Sequence, residues 1–349
     1  MFKDIELNEM LQLKDAGEHT LIDVRSPKEF NEATIPGSIN IPIFTDEERA
    51  EVGTLYKQVG QDAAKKRGLE IFSTKLPNFI QEFSKIQTPM TVFCWRGGMR
   101  SKTAATVLDL MGIKATRLSG GIRTYRKWVV STLEQGDFKP ELFVLNGYTG
   151  SGKTVILHEL AKKGYPIINL EGMANHRGSI FGQIGLHPNN QKKFEALFVQ
   201  KMLEFQQEPF VFIEGESKRI GKVSLPDFLY SKKEKSMQLF IHIPMEERVK
   251  HILEDYQPWK NPERFHEAFQ IIKKRIHTPI AKEIEQAFEA TDYHHVAELL
   301  LNYYYDPRYE HAANHYPKQN VIDIHAVDVT DAVQKIEELI HQHTEINIV

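Results

Sequence analysis

One stretch constrains this chain more than any other: Gly147-Tyr148-Thr149-Gly150-Ser151-Gly152-Lys153-Thr154. It reads G-x-x-x-x-G-K-T. The apolar run Leu142-Phe143-Val144-Leu145-Asn146 precedes it, and a helical pattern through Leu160 follows. Strand, glycine-rich turn and helix in that order make a P-loop. Its backbone N–H groups wrap a diphosphate at the positive end of the helix dipole. Gly147, Gly150, Ser151 and Gly152 shape the turn, Lys153 neutralises phosphate oxygens, and the Thr154 hydroxyl can hold Mg²⁺. Such a loop belongs at the edge of a parallel sheet, so an α/β domain is expected.

The strands of that sheet are legible. Pro166–Leu170, Pro209–Ile213 and Leu239–Pro244 are short apolar runs, and Val321–Ile324 with the helix Val329–Ile340 closes the sheet. Ligands sit at the C-terminal ends of parallel strands. There the chain places Glu171-Gly172-Met173-Ala174-Asn175-His176-Arg177-Gly178-Ser179 and Glu214-Gly215-Glu216-Ser217-Lys218-Arg219. Glu214 or Glu216 stands like a Walker B acid, able to hold Mg²⁺ directly or through water; the alternative is a plain surface charge. His176, Arg177, Lys218 and Arg219 are candidates for phosphate contacts, from a diphosphate or from RNA. For His176 the alternative is a polar loop residue with a local hydrogen bond.

Helices are expected over Met245–Tyr256, Pro262–Ile276, Ala281–Glu289 and Tyr293–Tyr305, giving this domain a helical C-terminal part. Lys273-Lys274-Arg275 is basic, and Tyr303-Tyr304-Tyr305-Asp306-Pro307-Arg308-Tyr309 is aromatic. Cations beside rings can stack unpaired bases. More often such tyrosines pack between helices.

A second loop organises the N-terminal half. Thr91–Thr103 reads T-V-F-C-W-R-G-G-M-R-S-K-T and holds the only cysteine, Cys94. Strand formers precede it and a helical pattern begins near Ser101. The amides around Gly97 and Gly98 form an anion cradle. The helix dipole and the guanidinium groups of Arg96 and Arg100 add positive charge. All of this favours thiolate, so Cys94 is expected to be nucleophilic rather than a small buried hydrophobe. Trp95 is read either as a pocket wall or as core.

Around that loop, Leu21–Val24 is a short buried strand. Ser26 caps a helix with Pro27 at its first position. Glu47–Lys66 is a charged insertion, either a solvated helix or a functional loop broken at Gly53 and Gly60. Ala115–Leu118 is a last strand, and Ile122–Leu133 a helix with a basic face of Arg123, Arg126 and Lys127. Gln135–Pro140 is a linker, so domains are expected over 1–134 and 135–349.

With 41% hydrophobic and 26% charged residues, the composition is that of an ordinary globular protein. A single cysteine excludes an intramolecular disulfide and any cysteine-cluster metal site. No apolar run is long enough to span a bilayer, and Met1–Met10 lacks an apolar leader core, so a cytoplasmic location without membrane association is expected. The net charge of −3 neither demands nor excludes a nucleic-acid partner. No guanine-recognition motif of the N/T-K-x-D type is present, and the histidines show no H-E-x-x-H spacing.

The cysteine loop, together with Leu21-Ile22-Asp23-Val24-Arg25-Ser26 and Ile35-Pro36-Gly37-Ser38-Ile39-Asn40, resembles a rhodanese domain. That resemblance implies sulfur or selenium transfer on a cysteine. Arg100 lies six residues after Cys94, where many sulfurtransferase loops have five. The wider loop also suits a tetrahedral oxyanion, as in related cysteine phosphatases, so loop length leaves that chemistry open. The whole series C-W-R-G-G-M-R-S, G-Y-T-G-S-G-K-T, E-G-M-A-N-H-R-G-S-I-F-G and E-G-E-S-K-R-I-G, with the E-R-A-E-V-G-T-L-Y-K insertion, is similar to bacterial tRNA 2-selenouridine synthases.

The resemblance implies a rhodanese-like domain fused to a P-loop domain. The implied substrate is 2-thiouridine at wobble position 34 of lysine, glutamate and glutamine tRNAs. The implied co-substrates are geranyl diphosphate, which alkylates the thio sulfur, and selenophosphate, which supplies selenium. In that scheme the P-loop holds the prenyl diphosphate with Mg²⁺. Cys94, Arg96, Arg100, Gly97 and Gly98 hold the selenium donor. A monomer is expected. Two other readings remain: an ATP- or GTP-dependent kinase-like protein with a regulatory rhodanese or phosphatase-like domain, and an RNA-binding module with degenerate sites.

Overall fold

A computed structural model describes residues 2–17, 19–308 and 316–346. The chain divides into two compact units, Met1–Gln135 with Glu195–Gln200, and Gly136–Phe194 with Lys201–Val349.

The first unit is a parallel sheet wrapped by helices. Its strands are β1 (Lys3–Ile5), β2 (Thr20–Asp23), β3 (Ile39–Asn40), β4 (Met90–Phe93) and β5 (Ala115–Leu118), ordered β1-β5-β4-β2-β3. All four residues of β4 are buried, as a central parallel strand covered on both faces requires. Helices α1 (Leu7–Asp15), α2 (Pro27–Glu32), α5 (Met99–Leu110) and α6 (Gly121–Gln135) connect the strands. Ser26 and Glu29 form a capping box with Pro27 in the first turn, as expected at that position. The insertion is a pair of helices, α3 (Asp46–Gln58) and α4 (Gln61–Ser84), rather than a loop. Gly53 lies inside α3 and breaks nothing, whereas Gly60 separates the two helices at φ +131°. A core of Ile22, Val24, Phe72, Phe83, Val92 and Leu108 fills one side of this sheet.

The second unit repeats the logic with a larger sheet. Its strands are β6 (Glu141–Gly147), β7 (Ile167–Ile168), β8 (Phe210–Glu214), β11 (Met237–His242) and β12 (Val321–His325), all parallel and ordered β12-β11-β6-β8-β7. A small antiparallel pair, β9 (Arg219–Ile220) and β10 (Val223–Ser224), stands apart. The run Pro166–Leu170 yields only the two residues of β7, because Asn169 caps a short helix, α8 (Leu170–Ala174), through its side chain. Helices α7 (Lys153–Lys162), α9 (Gln191–Glu204) and α10 (Asp227–Lys235) follow in chain order.

The C-terminal half is helical, as expected: α11 (Met245–Tyr256), α12 (Pro262–Ile272), α13 (Thr278–Glu289), α14 (Tyr293–Leu300) and α15 (Val329–Ile346). The expected helix over Tyr293–Tyr305 changes to a π-turn at Leu301–Tyr305. Phe265, Phe269, Ile272, Ile284 and Leu300 give this part its own core. No helix among the described residues is long and apolar enough to cross a membrane.

Two candidate active sites

Cys94 follows directly on β4 and is buried, with its Sγ 3.2 Å from the Ser101 hydroxyl on the first turn of α5. The loop that covers it is pinned from β5 onward. Ile122 and Arg123 donate backbone N–H groups to the carbonyls of Cys94 and Trp95 at 2.9 and 3.0 Å. Gly121 allows this approach: at φ +62°, an added Cβ would stand 2.2 Å from the Cys94 carbonyl oxygen. At Gly97 an added Cβ would stand 2.9 Å from the Leu118 carbonyl oxygen, so β-carbon-free residues on both segments let the two backbones meet. No acceptor among the described residues takes the N–H groups of Arg96, Gly97 and Gly98. Those donors are available to an anion beside the sulfur.

The two loop arginines differ. Arg96 is exposed and makes no ion pair among the described residues. Arg100 is mostly buried and grips Glu29 of α2 through Nη1 (2.5 Å) and Nη2 (3.2 Å). Burial pushes the Glu29 carboxyl up, but the Arg100 hydrogen bond and charge outweigh it and hold the group below its ordinary range. Burial likewise opposes charge on Arg100, and Glu29 with the nearby Cys94 more than restores it. A third guanidinium, on Arg117 of β5, donates to the Gly97 carbonyl at 3.0 Å while pairing with Asp4 at 2.6 Å. Further down the same sheet edge, buried Asp23 and Arg25 form a two-point ion pair (2.6–3.0 Å), and Thr34 donates to Asp23 at 2.9 Å. Glu29 and Arg117 have no local sequence signal, because each meets the loop from a distant segment.

In the second unit the P-loop sits between β6 and α7. Gly147, Gly150 and Gly152 all have positive φ, and a Cβ on any of them would lie within 3 Å of a neighbouring atom. Lys153 folds back so that Nζ reaches the Gly147 carbonyl at 3.1 Å. Ser151 is buried and its hydroxyl finds no partner among the described residues, an orphan that fits a phosphate oxygen. Helix α11 braces the loop from behind. Arg248 donates to the Thr149 carbonyl at 2.9 Å and pairs with Asp306, and His251 Nδ1 meets the Gly150 carbonyl at 2.9 Å.

Three carboxylates gather beside this loop. The Thr154 hydroxyl lies 3.1 Å from Glu171 and 3.2 Å from Glu214, and the Glu171 backbone N–H donates to Glu214 at 2.8 Å. Glu171 and Glu216 flank Gly178, where a Cβ would touch both. Burial first, then mutual repulsion with Glu216 and Glu214, pushes Glu171 up to about 9. Burial does the same for Glu214 and Glu216. Lys153 alone does not balance this charge, so a divalent cation suits the donor set. Among the described residues no three such side chains form a ready-made metal site. That is ordinary for Mg²⁺, which takes one or two protein oxygens and completes its shell with phosphate and water. Glu171 was not among the expected metal-site residues, although its place after the second strand is the same signal that marks Glu214.

The remaining expected contacts hold other partners. His176 is packed between Gly182 and Gly221, and its Nδ1 accepts the Gly178 N–H at 3.1 Å. Burial and the Arg177 charge lower its proton affinity, so the ring is neutral at pH 7. Arg177 bonds Asp255 and the Ile184 carbonyl and lies over the Tyr256 ring. Lys218 pairs with Asp227 at 2.7 Å, and Arg219 donates to the Gly221 carbonyl at 3.1 Å. Tyr304 is buried edge-on against Tyr305 with Arg308 over its ring, the packing arrangement rather than a stacking platform. Lys273 is tied to Glu285. Tyr309 lies outside the described residues.

Comparisons with known proteins address both units. The family described as tRNA 2-selenouridine synthase AAA domain matches residues 140–339, and the rhodanese-like domain family matches residues 6–127. A tRNA 2-selenouridine synthase from Nitrosomonas europaea is 38% identical over 244 residues, covering 68% of this chain and 63% of that protein. Proteins of the same name from Hydrogenovibrio crunogenus and Bdellovibrio bacteriovorus are 34% and 30% identical. Those two matches each cover 83% of this chain, and 88% and 87% of the relatives. A thiol loop on one parallel sheet, a P-loop on another and matches that run through both place the chain in the tRNA 2-selenouridine synthase family.

Proposed function

We propose that the protein modifies tRNA by converting wobble 2-thiouridine to 2-selenouridine in two chemical steps. In the first, the thio sulfur attacks the C1 carbon of geranyl diphosphate. A carbon–sulfur bond forms and diphosphate leaves. In the second, the selenium of selenophosphate attacks C2 of the alkylated base, the geranylthio group leaves as geranylthiol, and water cleaves the selenium–phosphorus bond so that phosphate departs. The first step makes the second feasible, because alkylation turns a poor leaving group into a thiol-type one.

The P-loop binds the diphosphate, with Lys153 and the Ser151 hydroxyl on its oxygens. Thr154 and Glu214 would hold Mg²⁺ there, which supplies charge stabilisation for the departing diphosphate. The loop amides of Arg96, Gly97 and Gly98, with the Arg96 guanidinium, receive selenophosphate, and Cys94 orients the donor from beneath them. Lysine, glutamate and glutamine tRNAs are the proposed acceptors. The observation that supports this most is that a Cys94 loop and a G-x-x-x-x-G-K-T loop stand in a chain matching the family across both domains.

The test is mass spectrometry of nucleosides from thiolated tRNA, incubated with geranyl diphosphate and selenophosphate separately and together. Geranylthio-uridine should appear with the first alone, and selenouridine with both. The Cys94→Ala protein should still geranylate but incorporate no selenium. Undiminished selenium incorporation in that variant would remove Cys94 from the chemistry.

A further inference from the structure

The α3–α4 insertion and the thiol loop enclose a groove of about 860 Å³, within the roughly 300–1,000 Å³ of small-ligand sites. Its wall is sorted by charge. Arg49, Lys57, Lys65, Arg96 and Arg100 line it, and no carboxylate does, in a chain whose net charge is −3. Helix α3 is rich in acid, yet two of its acids are engaged elsewhere: Glu48 with Lys75, and Glu51 with Arg67 at 2.5 Å. Lys57 and Arg96 make no ion pair among the described residues, so their charge is available to an anion.

The groove is also aromatic. Phe44 and Phe72 form its buried floor, while Tyr56 and Trp95 line it at 59% and 40% exposure. Gly53 and Gly68 keep the space between the helices open; a Cβ at Gly68 would press on the Phe44 ring at 3.3 Å. A glycine inside a helix costs about 1 kcal/mol relative to alanine, and here it leaves room for a ligand. Exposed rings framed by unpaired cations are the chemistry that receives an unpaired nucleotide, with stacking for the base and positive charge for its phosphates. An isoprenyl chain would offer no anion to Lys57 and Arg96, whereas Arg49, Lys65 and Arg100 already have carboxylate partners.

We propose that this groove holds an unpaired nucleotide segment of the RNA substrate and delivers it to the Cys94 loop. This rests on the reading of the protein as a tRNA-modifying enzyme and assigns the surface on which the RNA docks. Tyr56 stacks on a base, and Lys57 and Arg96 contact the flanking phosphates.

Binding of a fluorescent tRNA transcript to the full chain, measured by anisotropy over a salt series, tests it. Tyr56→Ala should weaken binding about tenfold, as loss of one stacking ring does. Lys57→Ala should make the salt dependence shallower by about 0.7 in the log–log slope. In the wild-type protein, light-induced crosslinks from 5-iodouridine at the wobble position should map to peptides carrying Tyr56 or Trp95; this needs no variant to fold. Unchanged affinity and slope in both variants, or crosslinks that fall elsewhere, overturn the assignment. If wild-type protein makes selenouridine while the variants bind normally, only the docking surface is wrong. If wild type neither binds tRNA nor modifies it, the functional reading fails along with it.

Discussion

Glu29 shows how a single side chain sets the state of the thiol loop. It holds Arg100 in a two-point ion pair, so that guanidinium is a positioned charge rather than a free one. Its carboxyl is held below the ordinary value of 4.5 by Arg100, against the opposing pull of burial. A lowered carboxyl stabilises the fold fully above the unfolded value, and the stabilisation disappears as pH falls through the folded one. Glu29→Gln should therefore cost roughly 1–3 kcal/mol at pH 7, the worth of a hydrogen bond between charged groups. The gap from wild type should narrow as pH falls below the ordinary value of 4.5 and close below the lowered folded one. Urea unfolding at several pH values checks this; a gap independent of pH would dissolve the ion-pair account. At this scale Cys94, Lys153 and Thr154 were legible because motif spacing announces them. Glu29 and Arg117 were not: they reach the loop from 71 residues before Arg100 and from the next strand, and only the fold brings them there.

Among the elements, strand and helix order followed from apolar runs and caps, and the errors have physical causes. The run at Pro166 is cut to two strand residues by the Asn169 cap. Helix α9 has no clean apolar stripe; Phe194, Ala196, Phe198 and Val199 are all buried, so its period is hidden in the sequence. Glycine misled and informed within the same insertion. Gly53 sits inside α3, where neighbouring helical residues override its low propensity, whereas Gly60 adopts φ +131° and ψ 176°, a conformation essentially reserved for glycine. Nothing lies within 4 Å of a Cβ at Gly60, so the cost of Gly60→Ala is purely backbone strain, about 1–3 kcal/mol. Thermal or urea denaturation should show that loss, and equal stability would mean the helices can be rejoined at another angle.

Across the whole molecule, composition concealed what the fold reveals. A net charge of −3 spread over 349 residues gives no hint of a groove whose charged lining is all cationic. The strand–turn–helix setting of both anion loops could be read from the sequence, because each carries its own signature, whereas the grouping of Glu195–Gln200 with the first unit could not. Glu214 and Glu216 were marked by their place after the third strand, but that Glu171 joins them was not, since it comes from a separate strand end. Because each loop has its own sheet, their losses should separate. Lys153→Ala should abolish geranylation yet still selenate tRNA that has been geranylated beforehand, as scored by nucleoside mass spectrometry; undiminished geranylation would refute the role of the P-loop. The close seating of Gly121 on the Cys94 carbonyl bears on any attempt to re-engineer the donor pocket. The cysteine loop and the Gly120-Gly121 corner are two halves of one mould, so a library that randomises 95–100 alone inherits a fixed ceiling. Loops longer or bulkier than the present one become accessible only when both halves are varied together.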